Sequence, residues 1–254
     1  MNFTRRSWAL VAGMGLAAAV ASGPSGAWSW SSGERVEGNG DITAEARDLR
    51  GFDAVSMAGG FQVVVRQGAA TKVEVKADRN LLPYLETRVV EGSNGRTLQI
   101  EPRKGVQFRT GTTPVITLEM PSLRAVAVAG SGSIRVESMK TGRVDAAIAG
   151  SGDIRFTQLE AERLAMKISG SGDIVASGRA TTAAVTIAGS GDVKAAELRA
   201  DEVKVNIAGS GDAQVHATQR LSVSIAGSGD VRYAGDPEIN SSITGGGKVR
   251  RIGS

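Results

Sequence analysis

Seven glycine pairs recur along this chain at almost equal steps. The first Gly of each Gly-x-Gly falls at positions 130, 150, 170, 189, 209, 227 and 245, spaced 20, 20, 19, 20, 18 and 18 residues apart. The surrounding text is nearly copied: VTIAGSGDVKA at 185–195, AAIAGSGDIRF at 146–156 and VNIAGSGDAQV at 205–215. A period near 20 sustained this long marks a solenoid, in which each copy is one supersecondary unit.

The residues around each glycine pair identify the unit. Before it, apolar residues alternate: Val144, Ala146, Ile148; Leu164, Met166, Ile168; Ala183, Val185, Ile187; Val203, Val205, Ile207; Leu221, Val223, Ile225. A period of two is a strand with one buried face. A second short strand follows, such as Ile154 and Phe156, and then a polar bend such as RADE at 199–202. One such unit cannot bury enough apolar surface to offset the entropy of ordering it, so units must stack on one another. Equal corners at a fixed period then fall into register, which predicts an all-β chain wound as a parallel β-helix of about 20 residues per coil. The rival, a β-propeller, needs about 40 residues per blade.

Composition suits this architecture. Aromatics are only 4% of the 254 residues, Cys is absent and His216 is the sole histidine, so the core must be aliphatic. No thiolate chemistry, disulfide or lipidated cysteine is possible. Residues 1–21 have the form of an export signal: Arg5 and Arg6, the apolar run WALVAGMGLAAAV at 8–20, and the small-residue site Ala19-Val20-Ala21. That run is too short to span a bilayer, which takes about 20 residues, so no transmembrane anchor is expected after cleavage. TRRSW at 4–8 also resembles a twin-arginine signal. Loss of Arg5 and Arg6 lowers the formal charge of +4 by two, to +2. The remaining basic residues are dispersed, which argues against a nucleic-acid partner. The predicted organisation is a signal peptide at 1–21, a flexible Gly/Ser-rich lead-in at 22–45, irregular N-terminal β coils at 46–123 and regular repeats at 124–254. VSMAGGFQVVV at 55–65 reads as a degraded copy of the corner, with Phe61 where Asp stands elsewhere.

The corner glycines are Gly150 and Gly152, Gly170 and Gly172, Gly189 and Gly191, Gly209 and Gly211, and Gly227 and Gly229. Glycine there permits positive φ and close approach of neighbouring backbones. Stacking would bring Asp153, Asp173, Asp192, Asp212 and Asp230 into a column about 4.8 Å apart. Like charges at that spacing repel, and two remedies are open. A cation could lie along the column, or the basic residues two positions on (Arg135, Arg155, Lys194, Arg232 and Arg250) could neutralise it. The paired scaffold is the simpler reading, and no metal or cofactor is expected. A phosphate cradle fails because no helix follows the glycines, and the nonapeptide calcium repeat fails on its period.

Five near-equivalent aspartates do not supply the divergent environments that acid–base catalysis requires. His216 lacks an evident partner and Ser151 lacks a nucleophile elbow, so no catalytic residue is assigned. The alternating residues that face outward, Ala147, Lys167, Thr186, Asn206 and Ser224, form the expected binding face.

These corners, with FDAVSMAGGFQVVV at 52–65 and NLLPYLETRVV at 80–90, resemble the putative auto-transporter adhesin head GIN domain family over roughly residues 50–235. The resemblance implies a right-handed, single-stranded β-helix exported to the periplasm or cell surface. It establishes no catalytic residues. The chain carries no C-terminal membrane-barrel segment, so a self-transporting adhesin is not expected. The expected role is a non-catalytic binding, adhesion or scaffolding module whose partner is an envelope protein or glycan. A polysaccharide-acting enzyme on the same fold and a periplasmic partner of an envelope-stress system are the alternatives.

Overall fold

A computed structural model describes residues 33–92 and 95–252. The predicted signal peptide lies outside the described residues. The chain is a β-solenoid of about six turns, as its period requires.

Five long strand runs carry the regular part: Ser133–Gly150, Asp153–Gly170, Asp173–Gly189, Asp192–Gly209 and Ala213–Gly227. Each lies parallel to the next, with Gly150, Gly170, Gly189, Gly209 and Gly227 opposite one another. Inward residues form aliphatic columns, among them Ile148, Ile168, Ile187, Ile207 and Ile225, all buried. Parallel strands buried on one face and solvated on the other are stable here because every coil supplies the hydrogen-bond partner of the next.

The polar bend behaves differently from its sequence. Ser138–Thr141 pair with Gln158–Ala161, so the ladder continues through the bend. Met139, Leu159 and Leu198 turn inward there and are fully buried. Isolated apolar residues among charges gave the alternation too little length to register. The bend also absorbs the shortened repeats: the register slips between Phe156 and Leu159, and between Ala195 and Arg199. The corners stay aligned.

The degraded corner stacks as a true coil. Ala54–Ala58 and Gln62–Gln67 pair with Ala125–Gly130 and the start of Ser133–Gly150. The register corrects one detail of the sequence alignment. Gln62 lies opposite Ser133 and so occupies the Asp column. Phe61 stands at the second corner glycine, its carbonyl accepting from Ser133 N–H at 2.8 Å as the Gly132 carbonyl does from Asp153. A ring fits there because the coil beneath opens into the segment around Phe108, whose ring centroid is 5.9 Å away.

That lowest coil consists of Gly95–Pro102 and Val115–Met120. Beyond it the pairing turns antiparallel, through Leu85–Gly92, Lys72–Asp78 and Ile42–Ala46. Antiparallel strands end the stack and cover its interior. Two of the strands, Glu34–Glu37 and Ile42–Ala46, arise within or at the edge of the segment read as a flexible lead-in. Glu34–Glu37 is held by pairing with Val106–Arg109.

One buried charge anchors this cap. Asp78 is 2% exposed and accepts from Gly40 N–H and the Thr110 hydroxyl, each at 2.6 Å. The Thr110 hydrogen bond, more than burial opposes it, holds the carboxyl below its ordinary pKa of 3.8. A depressed pKa contributes stability that is present above the unfolded value and lost as pH falls through the folded one. Asp78→Asn should therefore destabilise the chain at neutral pH, and the gap from the parent should narrow below about pH 4. Urea unfolding of both proteins across that range checks it; a gap independent of pH would refute the assignment.

Candidate functional site

Three outward surfaces arise from the stacking. The first is the corner edge. Asp153, Asp173 and Asp192 stand opposite one another in consecutive coils. The carboxylates of the later coils accept backbone donors. The N–H groups of Asp212, Asp230 and Lys248 donate to the carboxylates of Asp192, Asp212 and Asp230 at 3.1, 2.8 and 2.9 Å. Asp192, Asp212 and Asp230 thereby each tie their coil to the next, the role such a carboxylate plays when it accepts backbone donors.

The basic row is also in register, running Arg135, Arg155, Val175, Lys194, Gln214, Arg232 and Arg250. Among the described residues only Lys194 of this row pairs with a column carboxylate, at 2.6 Å from Asp173 Oδ2. That hydrogen bond raises the Lys194 pKa. The expected pairing of whole columns is thus confined to one site, and in the later coils backbone amides take the carboxylates instead. His216 sits outward between the buried Val215 and Ala217, beside Arg199 of the preceding coil.

The second surface is the expected binding face. Ala147, Lys167, Thr186, Asn206 and Ser224 lie side by side across five coils, with Ala127 before them and Ser242 after. Lys167, Thr186 and Ser224 are exposed; Ala147 and Asn206 are half-buried. A flat ladder of short polar side chains on a hydrogen-bonded backbone is rigid before any ligand arrives.

The third surface adjoins the second and was not singled out by sequence. Two residues earlier on each strand, Asp145, Ala165, Ala184, Lys204 and Ser222 share one row. The two alanines leave a trough of about 470 Å³, walled by Arg143, Arg163, Glu202, Lys204 and Arg220. Arg143 is neutralised by Asp145 at 3.0 Å and Arg220 by Glu202. Among the described residues Arg163 and Lys204 form no ion pair, so the trough presents two unneutralised cations across an apolar floor. The signal was present in the sequence as two adjacent coils with Ala at one outward position. It becomes a groove only because flanking coils place Asp145 and Lys204 on either side.

Among the described residues the inward columns of the regular coils are buried aliphatic side chains.

Comparison with known proteins agrees with this architecture. Residues 51–237 match the family model described as putative auto-transporter adhesin, head GIN domain. No curated protein matches the chain. A solved structure from Bacteroides fragilis NCTC 9343, described as a putative adhesin, superposes with a TM-score of 0.77 at 24% identity; the match covers 85% of this chain and 100% of that one. A structure from Parabacteroides distasonis ATCC 8503, described as a putative lipid binding protein, gives 0.69 at 29% identity, covering 87% and 100%. A putative adhesin from Parabacteroides merdae ATCC 43184 gives 0.68 at 24%, covering 87% and 100%.

Proposed function

The chain belongs to the putative auto-transporter adhesin, head GIN domain family, and from that premise we propose that it is an exported, non-catalytic binding module. Its ligand is an extended acidic glycan of the bacterial envelope. The observation that carries this reading is the trough over Ala165 and Ala184, with Arg163 and Lys204 unneutralised at its walls and Lys167, Thr186, Asn206 and Ser224 beside it.

The chemistry follows from the side chains. Hydroxyls and amides of Thr182, Thr186, Asn206 and Ser222 suit the hydroxyls of a sugar. Guanidinium and ammonium groups suit its carboxylates. A ladder spanning several coils meets several residues of a polymer at once, so weak contacts add through multivalency. A lipid-binding role, the one named for the Parabacteroides distasonis structure, fits less well, because charged side chains wall the trough and buried side chains line the inward columns. Asp173 is engaged by Lys194, and Asp192, Asp212 and Asp230 by backbone N–H groups of the next coil, which favours a structural role for the column over turnover. Export is supported by the Arg5-Arg6 and Trp8–Val20 pattern of the sequence.

The test is retention of the full chain on immobilised polyuronates, with a neutral glucan as control. Arg163→Glu combined with Lys204→Glu should weaken retention about tenfold or more, an effect of roughly 1.4 kcal/mol. Added salt should weaken the parent protein in the same direction. Retention unchanged by the double substitution, or cleavage of the polymer, would overturn the reading.

A further inference from the structure

The two ends of the solenoid differ. One is closed by antiparallel strands, whereas the other ends on Glu238–Gly245 and Val249–Arg251. Among the described residues these last strands pair only on their inner side, with Ala213–Gly227 and Val231–Ala234. Their outer N–H and C=O groups form an open edge. Ile239 and Ile243 continue the inward columns of Leu221 and Ile225, yet each is 41% exposed. Native edges are usually blunted by charge, proline or a bulge. On these two strands charge is confined to Glu238, Arg250 and Arg251; the intervening residues 239–247, INSSITGGG, contain no charged residue and no proline.

We infer that this end is a self-association surface, and that its occupant is the same end of a second copy related by a two-fold axis. Two features favour a second copy over a strand from another protein. The open section is two strands wide, so a lone peptide would cover one edge and leave Val249 and the interior exposed. The rotation of a second copy covers both. The inward residues Ile239, Ser241 and Ile243 also read identically in both directions about Ser241. In an antiparallel ladder centred there, Ile239 meets Ile243 of the other copy and Ser241 meets its own counterpart, with every inward residue still inward. The interface is isologous and closes at two copies. Lys248, Arg250 and Arg251 outnumber Asp236 and Glu238 at this end, so the two ends repel weakly and salt tightens the pair.

Sedimentation velocity of the full chain tests this. The mass should pass from one chain to two as concentration rises, and salt should shift the midpoint to lower concentration. Ile243→Lys, at an exposed position that leaves the fold intact by circular dichroism, should weaken association about a hundredfold. Because the chain has no cysteine, Ser241→Cys supplies a clean positional probe. It should form a disulfide-linked pair on mild oxidation, while Ser171→Cys on the exposed corner should remain single. A single-chain mass at all concentrations, a pair indifferent to Ile243→Lys, or equal cross-linking from both cysteine positions would overturn the proposal.

Discussion

Gly150→Ala is expected to destabilise the protein by about 3–5 kcal/mol, although it adds one methyl group at a solvent-facing edge. Gly150 has φ of +126°, where an L-residue is strained. A Cβ there would lie 2.7 Å from the Gly130 carbonyl oxygen of the coil below. That carbonyl is already engaged, accepting from Ser151 N–H at 2.9 Å. Relief by moving the corner would break a hydrogen bond that seats one coil on the next. The backbone strain alone accounts for about 1–3 kcal/mol; the displaced contact supplies the rest. Gly142→Ala is the control. It lies in the polar bend with nothing within 4 Å of its added Cβ, so its effect should stay within about 0.5 kcal/mol. Urea midpoints of the two variants decide the matter, and similar losses at both positions would refute the corner argument.

Phe156→Ala should cost about 3–5 kcal/mol for a different reason. Phe156 is the bulkiest of the fully buried side chains. It faces Val136 in one neighbouring coil and Ala176 in the other. The ring therefore fills space that the alanine leaves, and its removal opens a cavity that the rigid ladders on both sides cannot close. Adding Ala176→Phe to Phe156→Ala should recover part of the loss, because core volume is restored one coil away. Thermal or urea unfolding of the single and double variants reads this out. A double variant no more stable than Phe156→Ala alone would show that the two positions do not share one space.

The two substitutions probe separate requirements of the same fold. The corner needs the absence of a side chain so that backbones can meet at the ladder spacing. The interior needs complementary volumes from coil to coil. Together they hold the outer rows in place, so either lesion should also loosen the trough around Ala165 and Ala184, and with it the proposed glycan contact.

Much of this was legible without coordinates. The period near 20, the alternation before each glycine pair and the corner spelling determined stacked coils, the inward columns and the outward row from Ala147 to Ser224. These depend on local rules: a side chain's face follows from its parity along a strand, and a tight corner needs glycine. Other features required the register between coils. Parity placed Ala165 and Ala184 outward, but only the coils on either side turned them into the floor of a groove. The aspartate column was foreseen, whereas the backbone N–H donors to Asp192, Asp212 and Asp230 depend on how one coil is set on the next, which spacing does not encode. Met139, Leu159 and Leu198 entered the core through a bend that looked polar, because burial there is decided by the neighbouring coils. The closed and open ends likewise belong to tertiary structure, since the pairing partner of a terminal strand is a matter of which segment reaches it in space.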